Sequence, residues 1–162
     1  MRIASEIVEH AGDSPLIIVG IQRRGVQLAG RIVPIVEQAL ERKVGRGMLG
    51  ITLYRDDIQA AGQRPVVHET RLPPEIDGAT VVIVDDVLYT GRTVRAALDE
   101  IADFGRPRRI LLAVLVDRGG RELPIAANVV GMTVATAPGD RVEVRVSEID
   151  GSDGVDLLRE DG

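Results

Sequence analysis

Short aliphatic runs alternate along the chain with amphipathic helical patterns. Three of these runs contain no polar residue at all: residues 16–19, 81–84 and 110–116. Uninterrupted runs of this kind are typical of parallel strands, because helices cover both faces of their sheet. The pattern therefore predicts an α/β fold with a doubly wound, mostly parallel sheet flanked by helices. The length of 162 residues predicts a single domain spanning residues 1–162.

The helices are predicted from apolar residues that recur at every third or fourth position. This spacing is found in residues 1–11, 26–40 and 94–101. Gly105 and Pro107 follow the last of these segments. Glycine commonly closes a helix and proline cannot continue one, so both residues are expected to end it.

Shorter and less regular apolar segments predict further strands at residues 50–54, 128–134 and 142–146. Residues 137–140 contain proline and glycine, and they are expected to form the turn between the last two strands. Residues 150–156 are polar and are interpreted as a turn that precedes a short tail.

A long irregular segment covers residues 55–74, which are mostly polar and include Gly62, Pro65 and Pro73. A structureless loop of this length inside a compact domain is usually functional or mobile. We therefore expect a flexible lid here, one that closes over a ligand and excludes water.

Composition limits the classes of function. The net charge of −5 argues against a generally cationic nucleic-acid binder, although a local basic patch is still compatible with it. With two tyrosines, one phenylalanine and no tryptophan, the chain is also poorly equipped for a base-stacking RNA surface. The absence of cysteine excludes disulfides and thiolate metal sites. No apolar run approaches membrane-spanning length, so we expect a cytoplasmic protein with no membrane partner.

The most informative stretch is the aliphatic run 81–84 with the residues that follow it. Asp85 and Asp86 come first, and a loop with two threonines and Gly91 then leads into the third helical pattern. Backbone N–H groups at a helix N-terminus bind phosphate, and glycine lets a ligand approach the backbone closely. Carboxylates suit sugar hydroxyls or a hydrated Mg²⁺. The stretch thus indicates a site for a ribose that carries a 5′-phosphate.

Three competing interpretations are less consistent with the sequence. A plain buried strand with an acidic turn would not need the hydroxyl-rich loop. A Walker P-loop requires glycine where Asp86 stands and lysine where Arg92 stands. The G-x-G-x-x-G pattern at residues 45–50 follows a predicted helix and precedes a predicted strand, which is the reverse of a dinucleotide-binding context.

The stretch from Asp85 to Thr93 resembles the phosphoribosyl pyrophosphate (PRPP) signature of type I phosphoribosyltransferases. The resemblance is closer to one branch, PyrR, whose members combine uracil phosphoribosyltransferase activity with attenuation of the pyrimidine operon. It covers nearly the whole chain, and the matching segments agree in order and spacing. They are Leu53–Asp57, Asp85–Thr93, Gly105–Pro107, Leu112–Gly119 and Arg121–Ile125.

The resemblance implies that uracil and PRPP react to give UMP and pyrophosphate. It implies Mg²⁺ as the cofactor, bound mainly through PRPP and indirectly through Asp85 and Asp86. Asp85, Asp86 and Arg24 are the implied catalytic residues. PRPP and UMP would be bound by the residues of the signature, namely Asp85, Asp86, Val87, Leu88, Tyr89, Thr90, Gly91, Arg92 and Thr93.

Other positions receive roles from the same resemblance. A small hood over the base is implied at residues 128–147, and the family usually has histidine where Gly120 stands. The pyrophosphate would be bound by Arg23, Arg24, Gly25 and Arg55. The base would be bound by Val116, Asp117, Arg118 and Thr136.

The regulatory role that the resemblance implies is UMP-dependent binding of pyr-operon leader mRNA. Arg118, Arg121 and Arg141 are the candidate RNA-binding residues, but residues 125–133 contain no arginine or lysine where RNA-binding members have basic residues. A homodimer or higher homo-oligomer is also implied. The alternatives are a phosphoribosyltransferase for another base, or a non-catalytic nucleotide sensor that binds RNA.

Overall fold

The structure is a computed structural model, and it describes residues 2–51 and 69–160. Within these ranges, helices and strands alternate as the aliphatic runs predict. The helices are α1 (Arg2–Ala11), α2 (Arg24–Leu40), α3 (Arg92–Ala102) and α4 (Ser147–Asp150), and Pro74–Ile76 forms a 3₁₀ turn. The strands are β1 (Leu16–Ile21), β2 (Gly45–Leu49), β3 (Thr80–Leu88), β4 (Arg109–Asp117), β5 (Val129–Thr133), β6 (Arg141–Arg145) and β7 (Gly154–Leu158).

A five-stranded sheet forms the centre of the described structure, with the strand order β2-β1-β3-β4-β5. All of its neighbouring strands are parallel. Helices α1 and α2 cover one face and pack on residues such as Ile18, Val82 and Ala113. Helix α3 covers the other face, where its Ala97 and Ile101 join Ile83. The predicted α/β fold with a mostly parallel sheet is confirmed.

The remaining strands, β6 and β7, form a separate antiparallel pair. We call this pair, together with α4, the hood. Its Val144 and Val146 pack against Val116 near the carboxyl end of β4. The hood therefore covers the edge of the sheet where the parallel strands end. None of the helices in the described ranges is long and apolar enough to cross a bilayer.

Strand β3 is longer than predicted. We expected it to end at the two aspartates, Asp85 and Asp86, but it continues through them to Leu88. Its pairing with β1 stops at Val84, whereas its pairing with β4 continues to Leu88 opposite Asp117. Neighbouring strand β4 is long enough to support this extension on one side, so the acidic residues are still part of a strand.

Strand β2 lies earlier in the chain than predicted, because the glycine-rich residues 45–49 form the strand themselves. A Cβ atom on Gly45 would lie 2.9 Å from the side chain of Ile17, and one on Gly47 would lie 2.9 Å from the carbonyl oxygen of Arg71. Glycine is thus needed for close packing at this sheet edge. Residues 52–54 of the predicted strand lie outside the described residues.

The predicted lid at residues 55–74 lies largely outside the described residues. Its final part, from residue 69 onwards, returns to the edge of the sheet. The N–H groups of Met48 and Arg71 each donate to the other residue's carbonyl oxygen at 2.8 Å. The lid itself stays a prediction.

The hood also differs from the prediction for residues 128–147. The segment predicted as its first strand is β5, which pairs with β4 in the main sheet because Val129 is buried there against α1 and β4. The predicted turn is present, and the N–H of Asp140 donates to the carbonyl oxygen of Ala137 at 3.0 Å, but it joins two different sheets. The true partner of β6 is β7, in residues that we interpreted as a polar turn and a tail.

Two glycines place the start of α2 very close to the sheet. A Cβ atom on Gly20 would lie 2.5 Å from the carbonyl oxygen of Gly25, and one on Gly25 would lie 2.5 Å from the carbonyl oxygen of Val84. Both contacts are with backbone atoms, which cannot rotate away as a side chain can. The β1–α2 turn is therefore held against the strand that carries the two aspartates.

We predict that Gly25→Ala destabilises the protein by about 1–3 kcal/mol, because the added methyl group overpacks a rigid backbone contact. The matched control is Gly30→Ala in the same helix. Nothing lies within 4 Å of a Cβ atom at that position. This variant should therefore be more stable than the unchanged protein by about 0.5–1 kcal/mol, because alanine favours a helix more than glycine does. Urea denaturation of the two variants measures the difference. Equal free energies of unfolding for Gly25→Ala and Gly30→Ala would contradict the close contact of Gly25 with the carbonyl oxygen of Val84.

Candidate active site

A large cleft of about 1310 Å³ opens at the carboxyl ends of β1 and β3. In open α/β sheets, ligands bind at this edge. The cleft lies between the two strand–helix turns on one side and the hood on the other. Among the described residues, its lining comprises Ile21, Gln22, Arg23, Arg24, Ile51, Asp85 to Val94, Glu122, Arg141 to Arg145 and Asp150.

The turn after β1 contributes two arginines to this cleft. The peptide bond between Gln22 and Arg23 is cis, and the N–H of Gln22 donates to the carbonyl oxygen of Leu49 at 2.9 Å. The guanidinium of Arg24 donates to both carboxylate oxygens of Asp150 in the hood, at 2.8 and 3.2 Å.

The surroundings of Arg24 are acidic. Its hydrogen bond to Asp150 raises its pKa above the ordinary value; burial opposes this shift, and the negative charges of Asp86 and Glu143 add to it. Arg24 is therefore a fixed positive charge within a group of carboxylates on both sides of the cleft.

The two aspartates of β3 have different environments. Asp85 is buried, with an exposed fraction of 7%, and its Oδ1 accepts the N–H of Asp86 at 2.8 Å. Asp86 is half-buried, and its Oδ1 accepts the N–H of Val87 at 2.8 Å. Because successive side chains of a strand point to opposite faces, Asp86 shares the face of Val84, where Arg24 and α2 also lie.

The turn after β3 has the form of an anion-binding site. Gly91 has a φ of +96° and precedes α3, which begins without a capping side chain. The hydroxyl of Thr90 accepts the N–H of Arg92 at 3.2 Å. The N–H groups of Thr90 and Gly91 have no hydrogen-bond partner within residues 2–51 and 69–160. Unpartnered N–H groups at a helix start attract a phosphate.

The comparisons with known proteins agree with one another. Residues 1–147 match the model of the phosphoribosyl transferase domain. The bifunctional protein PyrR of Thermus aquaticus is 54% identical over 162 residues, which cover 99% of this chain and 90% of that protein. That of a Roseiflexus species is 56% identical over 160 residues, covering 98% of this chain and 87% of that protein.

The chain belongs to the PyrR family of phosphoribosyltransferases. Solved structures agree on the fold. A hypoxanthine phosphoribosyltransferase from Trypanosoma cruzi superposes with a TM-score of 0.68 at 21% identity, over 98% of this chain and 87% of that one. A hypoxanthine-guanine phosphoribosyltransferase from Bacillus anthracis gives 0.64 at 16% identity, over 86% and 77%.

The residues predicted to bind PRPP in this PyrR-family chain come together. All nine positions from Asp85 to Thr93 line the cleft, and so do Arg23 and Arg24. Gly25 is buried behind the cleft against Val84, so it acts through packing. Arg55 lies outside the described residues, as do the paired acids at positions 56 and 57.

The residues predicted to bind the base lie behind the cleft, and none of the four lines it among the described residues. Val116 is fully buried under the hood, and Asp117 pairs with Arg121 at 2.8 Å. Arg118 donates to the carbonyl oxygen of Asp140 at 2.8 Å, and the hydroxyl of Thr136 donates to the carbonyl oxygen of Arg118 at 2.9 Å. Val116 packs against the hood and Arg118 binds the turn that precedes β6, whereas Asp117 is held by Arg121. The base contact of all four residues stays a prediction.

The candidate RNA-binding arginines also differ in position. Arg118 is buried, with an exposed fraction of 8%, and its guanidinium carbon lies 3.8 Å from the centre of the Tyr89 ring. Arg121 is also engaged inside the protein. Only Arg141, of the three, is exposed, and it lines the cleft from the hood.

Gly120 has a clear structural role. It has a φ of +77°, and a Cβ atom on it would lie 2.3 Å from the ring of Tyr89. The ring of Tyr89 thus occupies the space that a side chain at position 120 would need. A histidine there, as the family usually has, would displace this ring from Arg118.

Several cleft residues were missed by sequence reasoning. Glu122, Glu143 and Asp150 all line the cleft, and Asp150 is the partner of Arg24. We interpreted Asp150 as part of a polar turn. Its role depends on the pairing of β6 with β7, and a local pattern does not reveal that pairing.

The residues present fit a Mg²⁺ ion that arrives with its substrate. Within the described parts of the chain, no group of three or more histidine, aspartate or glutamate side chains is arranged to hold a metal. Asp85 and Asp86 provide two neighbouring carboxylates beside the anion-binding turn. Mg²⁺ usually keeps water ligands and binds through one or two carboxylates plus substrate phosphates, and this set is consistent with that preference.

The hood is attached to α2 by ion pairs. Besides the pair of Arg24 and Asp150, Arg31 contacts Glu148 and Asp153. The hydrogen bond from Arg31 lowers the pKa of Glu148 from 4.5 to about 2. Hydrogen bonds from Arg24 and Arg31 likewise lower the pKa values of Asp150 and Asp153.

We predict that acid loosens the hood. Carboxylates whose pKa is lowered by folding stabilise the folded form above their ordinary pKa, and this contribution is lost as the pH falls through the folded value. For Glu148 the window runs from 4.5 down to about 2. The amide NMR signals of β6 and β7 should shift or broaden in this window, before those of β1 to β5.

The control is Arg31→Met, which removes the partner of Glu148 and Asp153. Its hood signals should change less between the same pH values, because the ion pairs of Arg31 with Glu148 and Asp153 are then no longer there to be lost. The attachment would be refuted by identical pH profiles for the hood in the variant and in the unchanged protein.

Proposed function

We propose that the protein transfers the phosphoribosyl group of PRPP to uracil, releasing UMP and pyrophosphate. One observation supports this most directly: two carboxylates and an anion-binding helix start follow each other on one wall of the same cleft. The PyrR relatives are named bifunctional, which is consistent with an enzyme that is also a regulator.

In this proposal, the 5′-phosphate binds at residues 90–93. The N–H groups of Thr90 and Gly91 and the start of α3 supply hydrogen bonds and positive potential. Asp85 and Asp86 bind the ribose hydroxyls. As the bond to pyrophosphate breaks, positive charge builds up on the ribose, and the nearby carboxylates stabilise that charge.

The leaving pyrophosphate is assigned to Arg23 and Arg24. Arg24 is held by Asp150 at 2.8 Å, so it must exchange this carboxylate for the pyrophosphate. Mg²⁺, when bound with PRPP, would neutralise part of the charge of the leaving group. Little covalent chemistry is required of the protein, since positioning and electrostatics lower most of the barrier.

The uracil ring is assigned to the side of the cleft that faces the hood, where residues 141–145 form the wall. Backbone groups of this strand would read the edge of the base. Val116 and Arg118, two of the residues predicted to bind the base, support that wall from behind through contacts with Val144 and Asp140. A homo-oligomeric state and a cytoplasmic location, as expected from the sequence, belong to the same proposal.

The test is conversion of labelled uracil to UMP in the presence of PRPP, with and without Mg²⁺. Hypoxanthine and orotate are added as competing bases. Mg²⁺-dependent formation of UMP supports the proposal, and preferential use of another base would move the assignment to that base. Tight binding of UMP without product from any base would favour a non-catalytic nucleotide sensor.

We predict that Asp86→Asn lowers kcat by about a hundredfold, because the variant loses a negative charge next to the developing positive charge. The matched control is Asp99→Asn, an exposed aspartate on α3, which should keep normal turnover. Steady-state kinetics and a thermal melt of both variants measure the effect. Near-normal turnover of a folded Asp86→Asn protein would remove the residue from the mechanism.

The second function, control of the pyrimidine operon through leader mRNA, has weaker support in this chain. Arg118 and Arg121 are engaged in internal hydrogen bonds, and Arg141 is the exposed member of the three candidates. We infer that few phosphates are neutralised when RNA binds.

We therefore predict weak binding of pyr leader RNA with a shallow salt dependence, a slope of log K against log salt smaller in magnitude than about 2. Arg141→Gln should reduce this magnitude by about 0.7, as expected for one lost contact with single-stranded RNA. Filter binding with UMP at several salt concentrations measures the slope. A steep slope with tight, sequence-selective binding would contradict this prediction.

A further inference from the structure

We propose that Arg121 is a positioning residue that orients the backbone of the phosphate-binding turn, and that Asp117 holds Arg121 in place for this purpose. The inference rests on the proposed function, since it assumes that the turn at residues 90–93 binds the 5′-phosphate. It gives Arg121 a role different from the RNA contact expected from the sequence.

The guanidinium of Arg121 is engaged on all sides. Its Nη1 donates to the carbonyl oxygen of Tyr89 at 2.6 Å, and its Nε donates to the carbonyl oxygen of Ile125 at 2.8 Å. Its Nη2 donates to both carboxylate oxygens of Asp117, at 2.9 and 2.8 Å. One side chain thus connects the phosphate-binding turn, the segment after β4 and the end of β4 itself.

The bond to Tyr89 fixes the direction of one peptide plane. In a trans peptide, the C=O and N–H groups point in opposite directions. Since the carbonyl oxygen of Tyr89 is held by Arg121, the N–H of Thr90 must point away from Arg121. That N–H is one of the two in the turn that lack a partner within the described ranges.

The next peptide plane is held in the same way by the backbone beside Arg121. The carbonyl oxygen of Thr90 accepts the N–H groups of Glu122 and Leu123 at 2.9 and 3.1 Å. The N–H of Gly91 consequently points away from this segment as well. Residues 121–123 therefore lie behind the turn and direct two successive N–H groups away from themselves.

Asp117 is suited to hold Arg121. Both side chains are largely buried, with exposed fractions of 24% for Arg121 and 21% for Asp117. Burial opposes the charged form of Asp117, but the N–H of Gly119 and the guanidinium of Arg121 outweigh it and lower its pKa. A guanidinium can serve several acceptors in fixed directions at once, whereas a lysine ammonium provides one flexible point charge.

The experiment compares the affinities for UMP and for uridine, which lacks the phosphate. Isothermal titration calorimetry is carried out on the unchanged protein, on Arg121→Gln and on Arg121→Lys. The dissociation constant for uridine divided by that for UMP is a ratio that reports on the phosphate-binding turn alone. It should fall by about tenfold or more in Arg121→Gln, the loss typical of hydrogen bonds to a charged group.

Arg121→Lys should lower this ratio by a smaller factor than Arg121→Gln, because one ammonium group cannot replace the whole set of hydrogen bonds. Asp117→Asn should shift the ratio in the same direction by releasing Arg121. The control is Arg95→Gln, an exposed arginine on α3, for which the ratio should not change. The lysine variant also covers the case in which Arg121→Gln does not fold.

The possible outcomes separate this inference from the proposed function. If the unchanged protein binds UMP no better than uridine, the proposed function itself fails. If it prefers UMP and the ratio is unchanged in the folded Arg121 variants, the inference alone is overturned. A general loss of stability would weaken the binding of both ligands and leave the ratio unchanged, so a merely structural role is also distinguished.

Discussion

The close contact between the start of α2 and the carbonyl group of Val84 is the constraint on which the cleft depends. It allows no side chain at Gly25 and none at Gly20. Because of it, the turn with Arg23 and Arg24 is held beside the strand extension that carries the two aspartates. Two separate strand–helix units, far apart in sequence, thereby form one site of opposite charges.

The second wall of the cleft is attached by weaker interactions. The hood packs a few valines against Val116 and Leu28 of α2, and it is also bound to α2 by ion pairs of Arg24 and Arg31 near the surface. Exposed ion pairs contribute little and are screened by salt. The sheet side of the cleft is thus rigid, whereas the hood side can adjust to a ligand at low cost.

The sequence was sufficient for the parts of this structure that depend on local patterns. The buried strands, the three longer helices and the turn that leads from β3 into α3 are where their residues indicated, although β3 runs on through both aspartates. The strand at residues 45–49 was missed because Gly45 and Gly47 are required by close packing against Ile17 and Arg71, which no periodicity shows. Strand β7 was missed for a related reason, since its stability depends on β6 rather than on its own residues. The partnership of Asp150 with Arg24 follows from this same long-range pairing.

Several of the arginines that line the cleft are already paired within the protein. Arg24 is paired with Asp150 and Arg92 with Glu122, so an anionic ligand that binds either of these two arginines must replace a carboxylate. Such an exchange leaves no desolvated charge unpaired, because the ligand replaces the carboxylate beside the arginine and the released carboxylate returns to water. Under the proposed function, a pyrophosphate that takes Arg24 from Asp150 releases one of the attachments of the hood. Arg141, the exposed candidate for RNA contact, is part of that same hood.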